Sequence, residues 1–466
     1  MIAMNRTTTP LKHGLSAIFI AAALAGCAVG PDYVKPKLDI PASFKEDGRW
    51  KTAEPQDAMP RGDWWTTFQD PTLNGLMDTL NKQSPTIAQA EAQYREAQAQ
   101  LRQAQAGLFP SLSANASQNR GASSPGAGAS TSYNLGLSAS WEVDLWGGVR
   151  REVEAGKAKQ QASEAQLAAI RLSSQAQLAT AYLQLVVADR QLANLRDSEK
   201  ALGEALKLTR NQFAAGIVGD DAVASAESQW HTAQAAVVDK RLTRAQLEHA
   251  IAAQLGQAPA SFGLPPATET PHLPQIPAGL PSALLERRPD VAAAERNMAA
   301  ANAQIGIAKA AFFPTLTLGA SGGYRGSSFA DWVTLPNRIW SIGPSLALTL
   351  FDAGLRSAQT DQAIASYDAS VASYRQTVLA ALQGVEDNLS AQSLLKEESS
   401  MQTASLAAAK RAETIAMNQY QAGTVAYLNV LSAQNARIAA ENNLWTVVNR
   451  QYTGSVALIA ALGGRW

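Results

Sequence analysis

The chain has 466 residues, 46% of them hydrophobic and 17% charged, with 39 basic side chains against 39 acidic ones. That apolar share excludes global disorder, and a net charge of zero leaves no electrostatic footprint for nucleic acid. A single cysteine and four scattered histidines exclude a disulfide framework, a zinc cluster, a CxxC redox centre and a His-based metal site, so no cofactor is expected.

Arg6 and Lys12 lead into an apolar stretch at 15–24, which has the length of a signal peptide and is too short to span a bilayer. No run of about 20 apolar residues follows, so no spanning helix is expected. Residues 24–27 read LAGC and resemble the bacterial lipobox, whose cysteine is acylated and becomes the mature N-terminus. An ordinary signal peptide that contains a cysteine is the alternative. Cys27 is the only cysteine of the chain, and in an oxidising periplasm it would otherwise be a loose reactive thiol. Residues 1–26 therefore read as a lipoprotein signal peptide and 27–84 as an N-terminal periplasmic segment. Ala28 stands where an Asp often signals inner-membrane retention, which favours the outer membrane. Trp64 and Trp65 read as packing residues rather than as a binding platform.

The rest of the chain contains itself twice. Pro85, Glu91 and Phe109-Pro110 match Pro289, Glu295 and Phe313-Pro314 at one constant spacing. Gly147 matches Gly354, NQFAAGIV (211–218) matches NQYQAGTV (418–425), and Leu255-Gly256 matches Leu462-Gly463, at a spacing three residues longer. The extra residues must therefore enter between Pro110 and Gly147 or their counterparts. The duplication sets the domains: repeat 1 at 85–256, a proline-rich linker at 257–288, repeat 2 at 289–463 and a short C-terminal end at 464–466.

Each repeat follows one plan. The first helix, 85–107, stops at Gly107 and Phe109-Pro110. Then Leu112, Ala114 and Ala116 alternate with Ser113, Asn115 and Ser117, and after a Gly/Ser/Ala loop the alternation resumes from Tyr133 to Leu145. In repeat 2, Leu316, Leu318 and Ala320 alternate with small polar residues, as do Trp340, Ile342, Leu346, Leu348 and Leu350. Such segments fit transmembrane strands with lipid on one side and water on the other; half-buried hairpins of a soluble sheet are the alternative. Four strands cannot close a barrel, which needs about eight, so membrane strands would require several chains to share one. Residues 149–213 contain no proline, and Leu178, Leu185 and Leu192 recur in heptads with Ala181, Ala188, Leu195 and Leu202. At about 1.5 Å per residue this helix would reach roughly 100 Å. Gly216 breaks it, and a returning helix runs over 221–255. Repeat 2 gives 356–420, a break at Gly423, and 427–462. The length matching suggests a tall tube of helices beneath a β-barrel.

The pattern resembles the TolC-like outer-membrane factors, in the lipoprotein branch described as NodT/OprM-like. The resemblance rests on GCAVGPDY (26–33), the Trp64-Trp65-x-x-Phe68-x-Asp70-Pro71 block, LLERRPDVAAAE (284–295), FFPTL (312–316) and the paired tips QFAAG and QYQAG. It implies a mainly α chain with a small transmembrane β part, assembled as a homotrimer with a twelve-stranded β-barrel on a twelve-helix periplasmic α-barrel. It also implies outer-membrane localisation through Cys27 and outer-membrane lipid. The implied partners are a periplasmic adaptor and an inner-membrane pump of the resistance–nodulation–division type. The expected role is the exit duct for drugs, toxic compounds or metals; a duct for protein secretion and a passive porin are the alternatives. No enzyme is expected, Walker A and HExxH motifs being absent. Glu397-Glu398 reads as a solvated helix face and Arg287-Arg288 as a local ion-pairing element. Gly216 and Gly423 become the periplasmic tip turns. Family members typically carry acids after the second turn, in a motif like LDVLDA; this chain has Leu428-Asn429-Val430-Leu431-Ser432-Ala433. Asp220, Asp221 and Asn429 are therefore the candidate aperture residues, with Asp220 and Asp221 read as either mouth charges or helix caps.

Overall fold

The computed structural model describes residues 28–36, 62–122, 128–274, 276 and 288–464. Its helices are α1 (Pro71–Gln83), α2 (Pro85–Ala106), α3 (Gly148–Ala214), α4 (Asp220–Gln254), α5 (Pro289–Ala310), α6 (Leu355–Gln421) and α7 (Tyr427–Ala461). Its strands are β1 (Ser111–Gly121), β2 (Ser130–Val143), β3 (Thr315–Gly326) and β4 (Arg338–Ala347). The duplication is carried through to helix length: α2 and α5 have 22 residues each, α3 and α6 have 67, and α4 and α7 have 35. The extra residues of repeat 2 sit in the strand hairpin, whose connection runs over 327–337 against 122–129 in repeat 1. A hairpin tip absorbs an insertion without disturbing the strand register on either side.

The chain forms two compact units. The first contains 28–36, 93–164 and 293–375, and holds all four strands. The second contains the described parts of 62–92, 165–292 and 376–464, and holds the main hydrophobic core. The heptad seam of α3 is buried as its spacing predicts, from Leu178 and Leu185 through Ala181, Ala188 and Leu192 to Leu195 and Leu202. The segment before repeat 1 supplies a plug to this core. Trp64, Trp65 and Phe68 occupy one short 3-10 turn and are all buried, with Trp64 and Trp65 edge to face at 5.8 Å. Burying each such ring contributes about 1.5–3 kcal/mol. The packing role read for the two tryptophans is the one observed. That turn and α1 had no counterpart in the repeat pattern and are additions to it.

A polar stripe on α3, spaced by heptads, grips the non-helical chain. Gln175 accepts from Trp64 Nε1 at 3.3 Å. The Tyr182 hydroxyl donates to Asp70 at 2.8 Å, while the other Asp70 oxygen caps α1 by accepting from Leu73 N. Burial, then the neighbouring Asp70, raises the Tyr182 phenol above its ordinary range. Buried Asp189 accepts from Arg244 Nε at 2.6 Å and from Ala267 N at 3.0 Å. Arg244 also donates to the Leu264 carbonyl, and Glu248 accepts from Leu264 N. The proline-rich segment is thus bolted to α3 and α4 at Leu264 and Ala267.

Three local readings are sharpened. The strands end at Val143 and Ala347, so Leu145, Leu348 and Leu350 lie beyond them; the apolar alternation continues past the last ladder hydrogen bond. Glu398 is not merely solvated but pairs with Arg450 at 3.0 Å. Arg288 pairs locally with Asp290 and also donates to the Ala461 carbonyl, closing the C-terminal end of α7; Arg287 lies outside the described residues. Residues 319–323 spell GxSxG, a motif that the sequence reading counted as absent along with Walker A and HExxH, but hydrolases need that serine on a strand-to-helix turn. Ser321 is mid-strand in β3 and shares a hydrogen bond with Ser341.

Asp189→Ala should leave Arg244 as a half-buried cation paired only with Glu248, strip Ala267 N of its acceptor, and lower stability by about 3 kcal/mol. Chemical denaturation of the purified protein checks this, and Gln175→Ala, at a long, half-buried bond between neutral groups, should cost less, about 1 kcal/mol.

Candidate functional site

The four strands form one antiparallel sheet in the order β1-β2-β3-β4, so the central β2–β3 pair joins the two repeats. The register sorts side chains by face. Leu112, Ala114 and Ala116 stand opposite Ala139, Leu137 and Leu135. Trp141, Ala139 and Leu135 stand opposite Leu318, Ala320 and Tyr324, which continue to Pro344, Ile342 and Arg338. The other face is small and polar: Ser113 and Ser138 share a hydrogen bond at 2.8 Å, Ser321 and Ser341 one at 2.9 Å, and Arg325 donates to Asn134 at 2.7 Å. The apolar face stays exposed, with Leu137 at 55%, Trp340 at 72% and Ile342 at 76%. One dry face and one hydrogen-bonded wet face are what a wall between lipid and water requires.

The strands turn into helices through two similar elbows. At the first, Asp144 accepts from the backbone N–H of Val149 and Arg150 at the start of α3 and pairs with the Arg150 side chain. At the second, Asp352 accepts from Gly354 and Arg356 N–H and pairs with Arg356 Nε. The bond from Arg356 holds the Asp352 carboxyl below its usual range. Gly147 and Gly354 provide the turn at φ +81° and +90°, a region that side chains disfavour. Aromatic rings brace the corners: Trp146 stacks on Phe313 at 4.6 Å and donates to the Pro314 carbonyl, and Arg356 lies over the Phe312 ring.

The segment 28–36 is tied to the first elbow. Val29 N donates to the Trp146 carbonyl at 2.9 Å, and Ala28 lies so close to Gly147 that a Cβ there would meet it at 2.7 Å. Buried Arg151 bonds Asp32 at 2.8 Å, the Gly30 carbonyl and Glu154. Asn302 donates to the Pro31 carbonyl, and Lys35 pairs with Glu295. The sequence reading did not single out Arg151; its signal was an arginine within the first turn of a helix, which residue type alone does not mark. Cys27 lies outside the described residues.

The two glycine turns are built alike. Gly216 N and Ile217 N donate to the Phe213 and Gln212 carbonyls, and Gly423 N and Thr424 N to those of Tyr420 and Gln419. Gly216 and Gly423 have φ of +71° and +72°, the Schellman ending in which glycine at C′ is favoured. The structure links the two turns, since Gln212 Nε2 donates to the Tyr420 hydroxyl. Tyr420 and Tyr427 pack at 5.1 Å, and burial, with Tyr420 second, raises the Tyr427 phenol to about 12. Asp220 and Asp221 are adjacent and exposed. They do not cap α4 by a side-chain bond: Gly219 is the N-cap and the two acids occupy the first turn, where the helix dipole favours them. Asn429 is exposed near the start of α7. No group of three or more His, Cys, Asp or Glu able to hold a metal occurs among the described residues.

The sequence profile of a family described as "Outer membrane efflux protein" matches residues 76–257 and 280–464. The probable efflux pump outer membrane protein TtgC of Pseudomonas putida is 31% identical over 98% of this chain and 96% of its own length. The cation efflux system protein CusC of Escherichia coli is 28% identical over 96% of this chain and 97% of its own. The solved outer-membrane channel OprN superposes with a TM-score of 0.86 at 31% identity, covering 94% of this chain and 100% of that one.

Leu137→Arg, on the apolar face, should lower insertion into the outer membrane by about 2–4 kcal/mol at the midplane, whereas Ser138→Arg, one residue away on the wet face, should insert nearly as the parent does. Heat-modifiability and membrane fractionation read both. At the turns, the Tyr427 phenol is neutral up to pH about 12 in the folded chain, against 10.0 for an unperturbed tyrosine. Its contribution is therefore full below pH about 10 and lost as pH rises through about 12. Tyr427→Phe should flatten that alkaline loss in thermal unfolding curves.

Proposed function

The chain belongs to the outer membrane efflux protein family and is an outer-membrane channel component of an efflux system, not an enzyme; from that premise we propose that three copies close one conduit from the periplasm to the exterior. The observation that carries this reading is the open sheet. Its outer strands β1 and β4 each have one unpaired edge in a single copy. In hydrocarbon each unpaired backbone group costs several kcal/mol, and joining β1 of one copy to β4 of the next removes every edge. Three copies give twelve strands, and the wet faces turned inward line the pore. Repeats 85–256 and 289–463 each supply one hairpin and one pair of long helices to the assembly, with 257–288 as the connecting strap and 27–84 as the packing segment.

Cys27 is acylated and inserts in the inner leaflet of the outer membrane. The hydrogen bond from Val29 to Trp146 and the contact of Ala28 with Gly147 support this, because they start the described chain beside the end of β2 that leads into α3. Several acyl chains on one cysteine give stable anchoring where one would be reversible. The turns at Gly216 and Gly423 form the periplasmic mouth, where Asp220 and Asp221 present negative charge and Asn429 a neutral counterpart. The conduit works with a periplasmic adaptor and a resistance–nodulation–division type pump, and passes small molecules such as drugs, toxic compounds or metal ions. CusC is named for cation efflux and TtgC for an efflux pump; the pump, not the duct, selects the cargo.

Native mass spectrometry of the detergent-purified protein should give three copies, and a monomer that conducts like the assembly would overturn the shared barrel. Intact-mass analysis should show an acylated N-terminus at Cys27, and Cys27→Ser should abolish it. In planar bilayers Asp220→Ala combined with Asp221→Ala should reduce cation selectivity; unchanged selectivity and divalent-cation block would assign the two acids to the helix dipole alone.

A further inference from the structure

Three arginines stand at the hairpin end of the sheet, in two different settings. Arg325 is on the wet face, and its guanidinium donates to Asn134. Arg120 and Arg338 are on the apolar face. The register sets Arg120 opposite Thr131, two residues along from Tyr133, and Arg338 opposite Tyr324. Both are exposed, and among the described residues neither side chain has a hydrogen bond or ion pair. The hairpin segment 122–129 beside Arg120 carries no acidic residue in sequence.

Aromatic rings fill the same rim. Phe329 and Trp332, from the connection between β3 and β4, close on Tyr133 at 5.6 and 5.7 Å and on each other at 6.0 Å. Tyr133 is on the apolar face, so this cluster shares the face of the two arginines. Below Arg338 the outward residues of β4 are Trp340, Ile342, Pro344 and Leu346. Eight residue rises from Arg338 to Leu346 make about 26 Å of strand, which at the usual tilt of about 40° covers most of the apolar band of a barrel. Arg120 and Arg338 therefore sit at the height of the outer headgroups. There an outward arginine costs far less than at the midplane.

We propose that Arg120, Arg338 and the Tyr133–Phe329–Trp332 cluster form a binding rim for the phosphate groups of the phosphorylated, polyacylated glycolipid of the outer leaflet. The proposal rests on the placement of the sheet in the outer membrane. The guanidinium fork matches phosphate oxygens in a bidentate way, and the rings provide an amphipathic shelf at the boundary between headgroup and acyl chain. Because β1 and β4 are the two edges of the sheet, Arg338 of one copy and Arg120 of the next lie on neighbouring strands once the barrel closes. One bound glycolipid then bridges two copies from outside.

The test uses the detergent-purified assembly and two probes, bis-phosphorylated lipid A and the same lipid with its phosphates removed, with retention read by native mass spectrometry. The parent protein should retain the phosphorylated lipid about tenfold or more over the dephosphorylated one, taking about 1 kcal/mol per basic side chain. Arg120→Gln combined with Arg338→Gln should lose that preference while Arg325→Gln keeps it, and the double variant should conduct as the parent does in planar bilayers. A parent protein that holds both lipids equally overturns the site without touching the channel, and needs no variant to fold. Equal phosphate preference in the double variant also overturns it, as does equal loss with Arg325→Gln. A parent protein that neither inserts nor conducts would instead strike at the outer-membrane placement itself.

Discussion

Along the free edges of β1 and β4, every ladder N–H and C=O pointing away from the sheet needs a partner once the strands enter lipid, because hydrocarbon supplies none and each orphan costs several kcal/mol. Lengthening the strands would not help, and adding strands within the chain would change the fold. Assembly from identical copies meets the constraint, provided that the last strand of one copy and the first of the next agree in length and face. The two repeats already practise that agreement within one chain: β2 pairs with β3 across the duplication with Leu137, Ala139 and Trp141 matched to Gly322, Ala320 and Leu318. A one-residue slip at this central ladder would turn each apolar residue towards water. The apolar alternation therefore specifies the join between repeats as well as the strands themselves.

The helices inherit the same requirement of matched lengths. Identical lengths of 67 and 35 residues in the two repeats let the glycine turns come level, and the hydrogen bond between Gln212 and Tyr420 ties those turns together. At the strand ends the chain must convert from an extended path to a helix within a few residues, and both repeats use a positive-φ glycine followed by a helix whose first N–H groups are taken up by an aspartate. The capping aspartates, Asp144 and Asp352, stand at slightly different distances before their helices. What is kept between the repeats is the satisfied helix start, not the position of the acid.

Periodicity made the repeated elements legible, and to within a few residues. The heptad seam, the period-two strands and the glycine breaks are local patterns, and each is repeated, so the two halves check one another. The ends of β2 and β4 were less legible because Leu145, Leu348 and Leu350 extend the apolar pattern where pairing has stopped. Contacts between residues far apart in sequence left no local trace. Arg151 reaching Asp32, Asp189 holding Ala267 and Gln212 meeting Tyr420 each join residue types that are common on helix surfaces. The reading of Asp220 and Asp221 as caps failed for a related reason: an acidic pair after a glycine break fits an N-cap or a first turn equally well, and Gly219 took the cap position.

The polar stripe of α3 shows how the duplicated helices came to differ. Gln175, Tyr182 and Asp189 hold Trp64, Asp70 and Ala267 in turn. The matching positions of α6 are Leu382, Leu389 and Lys396, two apolar residues at the core and one exposed cation. A hydroxyl or carboxylate is stable in a core only where it meets a partner. Repeat 1 packs against the added chain, with its buried backbone groups and the Asp70 carboxylate to satisfy, so its stripe is polar. Leu382 and Leu389 join the apolar core, where a tyrosine or aspartate would gain no such partner from the matching stripe. The backbone of the repeat was thus conserved between the two halves of the chain while one helical stripe diverged. That stripe is where the non-repeated segments, the Trp64–Phe68 turn and the proline-rich strap, are held.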